Sequence, residues 1–300
     1  MAMIFKKMRD FCKSFICRTV RKLVYKMRKI ELEELKIIQL DILNVFRDIC
    51  RQNGLRYFLA AGTALGAIRH QGFIPWDDDI DVLMTREDYE KLLNLKDLRC
   101  AAHYKLLHSR NVEHFGLPIA LLVDARTYVE EKQLLPELVN RRHGVHIEIF
   151  PIDGLPNNRL LRCWHWARCN FTRKLMYLCL FDKFVPSHKH GTAVNFIGRI
   201  LTIAGKRFLG YQYLLRELDK IGKKYKVDGA EFVSGLVWQG YTVDLPRKHI
   251  DGTEEVIFEG FKHTSFVYCR DYLQATYGDY MKLPPEEKRI GHGMHAWWRE

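Results

Sequence analysis

Phe73-Ile74-Pro75-Trp76-Asp77-Asp78-Asp79-Ile80-Asp81-Val82-Leu83-Met84 places four carboxylates inside an otherwise apolar stretch. Carboxylates this close repel one another, and their hydrophobic flanks carry them into a folded core rather than into water. A divalent cation among them is the simplest way to offset both costs. Reading 79–84 as a strand puts Asp79 and Asp81 on one face, with Ile80 and Val82 turned toward the core. The pair then forms a metal platform. Asp77 and Asp78 fall in the turn after Pro75, where they suit supporting the pair or touching substrate. Hard oxygen ligands favour Mg2+ or Mn2+ over Zn2+. The plainer reading, an exposed acidic turn, agrees less well with the apolar flanks.

Upstream, Arg56 to Ala60 reads as a short strand, Gly62-Thr63 as a turn, and Ala64 to His70 as a short helix ended by Gln71-Gly72. Strand, glycine turn and helix N-terminus together make a phosphate cradle of backbone N–H groups and one hydroxyl. Gly-Thr alone says little; its weight comes from lying just before the acidic pair. Arg69 and His70, between the two, are candidate contacts to an anionic substrate, although Arg69 equally suits a surface.

Downstream, Thr85-Arg86-Glu87-Asp88 resembles a capping box opening a helix to about Leu95. Strands are expected at Tyr104 to His108, Ile119 to Asp124, Thr127 to Glu130 and Val145 to Phe150, the last stopped by Pro151. Phosphoryl-transfer sites commonly use a third carboxylate. Glu148 supplies one, on the strand face of His146 and Phe150. Asp124 is the alternative, although its place at a strand end makes a turn role more ordinary.

Residues 31 to 53 carry the clearest helical pattern, with Leu35, Ile38, Ile42, Phe46 and Ile49 as the buried stripe and Asn53-Gly54 as the stop. Residues 155–230 change character. Aromatic and basic residues alternate in Cys163-Trp164-His165-Trp166-Ala167-Arg168, and the segments that follow are helical by pattern, which predicts a helical subdomain. A last helix is expected near Asp271 to Tyr277, before the breaker Pro284-Pro285. Cys163, His165 and Cys169 lack zinc-knuckle spacing. His292 and His295 could close over a site, or simply be solvated. No Walker A loop, Gly-x-Ser-x-Gly elbow or kinase signature is present, which narrows any phosphate chemistry to a metal platform.

At 300 residues and 47% apolar composition, disorder throughout is excluded. The formal charge of +12 is uneven: residues 1–30 carry six Lys and four Arg against Asp10, a net of +9, leaving +3 for the rest. The basicity therefore belongs to an arm rather than to a nucleic-acid-binding face, and no nucleic acid is expected as a partner. The arm reads as a basic amphipathic helix, too interrupted to span a bilayer or to act as a signal peptide. It either docks on an anionic membrane surface or packs on the protein with a solvated basic side. Without export, the eight cysteines are expected as reduced thiols in the cytoplasm.

The run Gly62 to Val82 closely resembles the LicD family of phosphocholine and related phospho-alcohol transferases. The likeness continues in Ile147-Glu148-Ile149-Phe150-Pro151-Ile152-Asp153-Gly154 and in Tyr277-Gly278-Asp279-Tyr280-Met281 with Pro284-Pro285, covering roughly residues 31–300. It implies an α/β (α+β) fold: a nucleotidyltransferase-like mixed-sheet core over 31–154, a helical insertion over 155–230 and a C-terminal completion over 231–300, with arm 1–30 outside. It also implies a site in which Gly62-Thr63 precedes the Asp79/Asp81 pair and Glu148 is the third acid, where the family more often has Asp. The implied reaction moves phosphocholine or a related phospho-alcohol from a CDP-activated donor, CDP-choline favoured, to a sugar hydroxyl of a cell-surface glycan such as lipopolysaccharide, capsule or teichoic acid. Mg2+ on Asp79, Asp81 and Glu148 would neutralise the donor, and Trp76 could face a quaternary ammonium. Such donors are cytosolic, so a peripheral place at the inner membrane face is expected, with a glycan or glycolipid acceptor. The competing readings are a nucleotidyltransferase moving NMP to a sugar or protein, and a nonenzymatic membrane- or nucleic-acid-binding protein led by the arm.

Overall fold

The structure, a computed structural model, describes residues 28–113, 115–130, 144–180, 198–203, 205–237 and 244–299. Residues 1–27, and with them most of the amphipathic helix expected over 1–30 and its membrane contact, lie outside the described residues; the last two residues of that arm, Lys29 and Ile30, are strand rather than helix. Strand β1 (Lys29–Ile30) leads into α1 (Leu32–Gln52), whose buried side carries the expected Leu35, Ile38, Ile42, Phe46 and Ile49. Gln39 is buried on that same side. Gly54 ends the run with a φ of 62°, a left-handed conformation that glycine adopts without steric cost.

After β2 (Phe58–Leu59), helix α2 spans Ala61–His70. It begins three residues before the expected Ala64, because the Ala64 N–H donates to Ala60 O at 2.9 Å and closes a helical turn over Gly62-Thr63. Those two residues therefore sit in the first turn of the helix rather than in a turn before it. Strand β3 (Asp81–Thr85) starts later than the expected Asp79, since its pairing with β2 reaches only Val82 and Leu83 and its pairing with the next central strand starts at Asp81. Helix α3 (Arg86–Leu93) follows at once. Thr85 caps it by accepting the Asp88 N–H at 3.3 Å, whereas the Asp88 carboxylate takes the Arg56 N–H, also at 3.3 Å, so only half of the capping box forms.

Next come β4 (Tyr104–Leu107), β5 (Ala120–Asp124), β6 (Thr127–Val129) and the nine-residue β7 (His146–Gly154). Pro151 does not stop β7. The Glu148 N–H donates to Ile80 O on the β3 side, so Ile149 and Pro151 direct their N positions toward β5, whose pairing ends at Ala120 opposite Ile149. Pro151 thus sits where no ladder donor is needed. Helices α4 (Arg159–Leu180) and α5 (Tyr211–Gly222) follow, then β8 (Phe232–Ser234), β9 (Leu245–Pro246), the hairpin β10 (Thr253–Phe258) and β11 (Phe261–Phe266), α6 (Cys269–Tyr277) and β12 (Ala296–Trp298).

The fold is α+β with a mixed central sheet. Its strands run β2-β3-β7-β5-β4, with β8 and then β9 added beside the end of β7. Among the described strands only β3 and β7 run parallel, in the register Asp81 opposite Glu148. A second sheet, β1-β12-β6, ties both ends of the described chain together. Helix α1 and the β10–β11 hairpin cover one continuous core, within which Phe58 stacks on Phe266 at 4.6 Å. Helices α4 and α5 share a smaller core of their own around Cys169, Met176, Leu214 and Leu218.

One buried ion pair joins the two cores. Arg86, at the start of α3, donates from Nε and Nη2 to both Asp153 oxygens at 2.6 and 3.0 Å, and from Nη1 to Asp219 of α5 at 3.2 Å. Burial opposes the charge on Arg86, but the attraction and hydrogen bonds of Asp153 outweigh it and raise the guanidinium above its ordinary value.

Candidate active site

The site lies at the leading end of the parallel pair. Ile74 to Asp77 form a turn closed by the Asp77 N–H on Ile74 O at 2.9 Å, with Pro75 pre-setting φ at its second position. The turn delivers three consecutive carboxylates in different directions. Asp78 points inward, is 5% exposed, and accepts three backbone N–H groups: His292 at 2.6 Å, Met294 at 2.7 Å and Gly293 at 2.8 Å. Its own carbonyl accepts from Gln39 Nε2 at 3.0 Å, so a buried amide on α1 holds the backbone in place. Gly291 makes the clamp possible, because a Cβ there would stand 2.6 Å from Trp76 O and 2.9 Å from Asp78 Oδ1.

The clamp brings His292 over the other two acids. Its Nε2 lies 3.3 Å from Asp79 Oδ2 and 3.9 Å from Asp77 Oδ1. One ligand atom from each of Asp77, Asp79 and His292 falls within 4.8 Å of the others, the one such grouping among the described residues. Burial pushes the Asp79 carboxyl up to about 7, with the charge of Asp77 adding to it and that of His292 opposing; Asp77 is raised mainly by burial. Two half-buried acids in mutual repulsion are what a bound cation relieves. Their oxygens suit a hard divalent ion, so the residues present fit Mg2+ or Mn2+.

Asp81 and Glu148 stand side by side across the parallel pair, on the same sheet face, with His146 Nε2 4.0 Å from Glu148 Oε1. Thr63 Oγ1 accepts the Asp81 N–H at 2.9 Å and so ties the first turn of α2 to the start of β3. Gly62 lies against Asp77: a Cβ there would sit 2.5 Å from its Oδ2, so glycine lets the helix start approach the carboxylate without displacing it. The Gly62 and Thr63 N–H groups, at the positive end of α2, have no intrahelical acceptor. Cradle and acids are thus neighbours.

Two tyrosines complete the surroundings. Burial pushes the pKa of the Tyr277 phenol up from its ordinary value, and the charges of Asp81, Asp77 and Asp79, in that order, push it further, which places the phenol among all three acids. Tyr177 on α4 is pushed up to about 12 by burial, with Glu148 adding, so the end of α4 also reaches the site.

The remaining expected residues sit at the margin. Arg69 donates from Nη1 to Tyr280 O at 2.7 Å and from Nε to His70 Nε2 at 3.0 Å. Trp76 carries the Arg289 guanidinium 5.5 Å over its ring. Asp124 is fully buried and held by Arg126, whose Nη2 lies 2.6 Å from Oδ2, in the β5–β6 turn. Cys163, His165 and Cys169 do not converge: Cys163 is exposed, His165 packs on Tyr225 and Cys169 donates to Leu236 O. Sequence reasoning passed over Gln39 and Tyr277. The first has a signal, an amide among the apolar positions of α1; the second opens the Tyr277–Met281 segment of the family resemblance, which gave it no role in the site.

Residues 54–154 match the family model described as LicD/FKTN/FKRP, nucleotidyltransferase domain. The chain is 27% identical over 271 residues to the lipopolysaccharide cholinephosphotransferase LicD of Haemophilus influenzae, covering 89% of this chain and 97% of that protein. It is 28% identical over 117 residues to the ribitol 5-phosphate transferases FKRP of human and mouse, covering 38% of this chain and 19% of those proteins. The matched span takes in α2, β3 and β7, the elements that carry Gly62, Thr63, Asp81 and Glu148, together with the Ile74–Asp79 turn. The chain therefore carries a LicD-family nucleotidyltransferase domain at residues 54–154.

Proposed function

We propose that this chain transfers phosphocholine, or a related phospho-alcohol, from a CDP-activated donor to a sugar hydroxyl of a cell-surface glycan such as lipopolysaccharide. One observation carries the reading: Asp77, Asp79 and His292 converge beside the Asp81–Glu148 pair and the open N-terminus of α2. The names of the full-length relative and of the FKRP proteins supply the transferred group, a phosphate ester of an alcohol.

Asp79 and Asp81 would hold Mg2+ or Mn2+, with Asp77 adjoining. When bound, the ion neutralises charge on the donor pyrophosphate and on the transferred phosphorus. The Gly62 and Thr63 N–H groups bind the non-reacting phosphate at the helix start. Glu148 accepts the proton of the attacking sugar hydroxyl as the new P–O bond forms, and CMP leaves with the electrons of the broken one. Arg69 keeps the segment around Tyr280 in place. No helix among the described residues is long and apolar enough to cross a membrane. Work on a lipid-linked acceptor would then take place at a membrane surface.

The test is product analysis with Mg2+, a sugar acceptor and either CDP-choline or nucleoside triphosphates. CMP and a phosphocholine-bearing sugar from the first support the proposal; pyrophosphate released from a triphosphate alone refutes it in favour of nucleotidyl transfer.

A further inference from the structure

Helix α4 is apolar on two opposite faces, and among the described residues only one is covered. Its inner face, through Cys169, Met176 and Cys179, packs into the core shared with α5. On its outer face Leu160, Trp164 and Phe171 are 80, 70 and 60% exposed, spaced four and seven residues apart and so aligned on one side of the helix. Exposed Arg159, Arg168 and Lys174 border them. A soluble helix normally presents charges where α4 presents a tryptophan, a phenylalanine and a leucine.

The charges present are of one sign. Over its 22 residues α4 has four Arg and one Lys and neither Asp nor Glu. Arg168 stands 4.0 Å from Glu217 of α5, the one acid paired to this border among the described residues. The helical residues 198–203 continue the pattern, with Ile200 and Ile203 half or more exposed and Arg199 exposed beside them. An exposed aromatic and aliphatic stripe flanked by cations alone matches the interface of an anionic bilayer. The rings and the leucine enter the boundary between headgroups and acyl chains, and the basic side chains meet lipid phosphates. A protein partner of ordinary composition would be expected to meet some acid on this side, and there is none on the helix.

We propose that the outer face of α4 docks this protein on anionic membranes. The contact is a surface one, made by Leu160, Trp164 and Phe171, and separate from any contact by residues 1–27. It does not depend on the reaction assigned above. It does have a consequence for the site, since Tyr177, toward the other end of the same helix, lies near Glu148. A membrane-bound α4 would hold the acids close to the lipid surface.

Flotation with vesicles tests this on the full-length chain. Vesicles of phosphatidylcholine with about a third phosphatidylglycerol should carry the wild type, and pure phosphatidylcholine vesicles should carry about tenfold less or lower. The double variant Trp164→Glu/Phe171→Glu should lose binding to the anionic vesicles by about tenfold or more. Both positions are exposed, so the fold is kept, as circular dichroism will verify. A second full-length variant, Lys6→Gln/Lys7→Gln/Lys13→Gln/Lys22→Gln, should retain most of the binding. Binding that survives the α4 substitutions, that vanishes with the arm substitutions alone, or that is absent in the wild type overturns the proposal. CMP release in solution should be equal in wild type and α4 variant, so loss of docking is distinguishable from loss of the reaction.

Discussion

Asp78→Asn separates the clamp on the C-terminal loop from the acids it serves. In the wild type Oδ1 takes the His292 N–H at 2.6 Å, while Oδ2 takes Gly293 at 2.8 Å and Met294 at 2.7 Å. An asparagine keeps one acceptor oxygen. Placed at Oδ2 it still serves Gly293 and Met294, now without a charge, and its NH2 faces the His292 N–H, donor against donor. A hydrogen bond to a charged group contributes about 1.5–3 kcal/mol and a neutral one about half that; losing one charged bond and halving two removes about 3–6 kcal/mol of the loop's attachment. The loss is local, because β12 remains paired to β1 and β6 on the far side of the loop. Amide hydrogen exchange at His292, Gly293 and Met294 should therefore accelerate by about 30-fold or more while the Tm falls only slightly. Transfer should drop as His292 leaves Asp79. Unchanged protection of these three amides would refute the reasoning, since the clamp would then be made by something other than the carboxylate.

Asp79→Asn should abolish transfer yet stabilise the metal-free protein by roughly 1 kcal/mol or more at pH 7, because it removes one of two repelling, half-buried charges; a lower Tm in EDTA would contradict this. The folded Asp79 pKa lies above its unfolded value, so its destabilising effect grows as pH rises from about 4 to 7, and the variant should lose that component. Asp153→Asn leaves Arg86 charged and buried without its bidentate partner and should cost about 3–5 kcal/mol in urea unfolding; a cost below 1 kcal/mol would show that Asp219 suffices. Burial pushes His108, His165 and His263 each down to about 4, below the ordinary histidine range. Their contribution is fully present above the unfolded pKa near 6.5 and is lost as pH falls toward 4, so in the Asp79→Asn background Tm should decline across that window, and a flat Tm would refute it.

What could be read in the chain followed the range of each signal. Helical periodicity over Leu35 to Ile49 and β alternation over Val145 to Phe150 are local, and both elements form where expected. Alternation also put Glu148 on the face of His146, and the parallel register then sets it beside Asp81. Strand limits were less legible, because they depend on partners: β3 shortens where its neighbours' pairing begins, and β7 passes Pro151 because β5 has ended there. The clamp itself was not legible, although His292 was expected as a residue that could close over a site. His292 and Asp78 are joined by backbone N–H groups from a loop more than 200 residues downstream, and no side-chain pattern announces which amides will face a carboxylate. Strand alternation set Asp79 apart from Asp77 and Asp78, which look alike in sequence, and only this long-range contact separates Asp78, which holds the loop, from Asp77, which joins Asp79 under His292.

The same contact explains how the chain tolerates its costliest stretch. Asp77 and Asp79 are held near each other against their repulsion, which requires that neither the turn nor the loop above it relax. The turn is fixed from below by Gln39 on Asp78 O and by Lys36 on Pro75 O at 2.8 Å. The loop is fixed at both ends, by Arg69 on Tyr280 O before it and by β12 between β1 and β6 after it. Relaxing the acids would mean breaking one of these attachments, each anchored in the main core or in the end-joining sheet. The favourable energy of the fold is thus stored away from the acids, and the acids remain in a geometry that a cation would stabilise. A site built this way should gain more stability from a divalent ion than an exposed acidic turn does, because the protein has already supplied the cost of bringing the charges together.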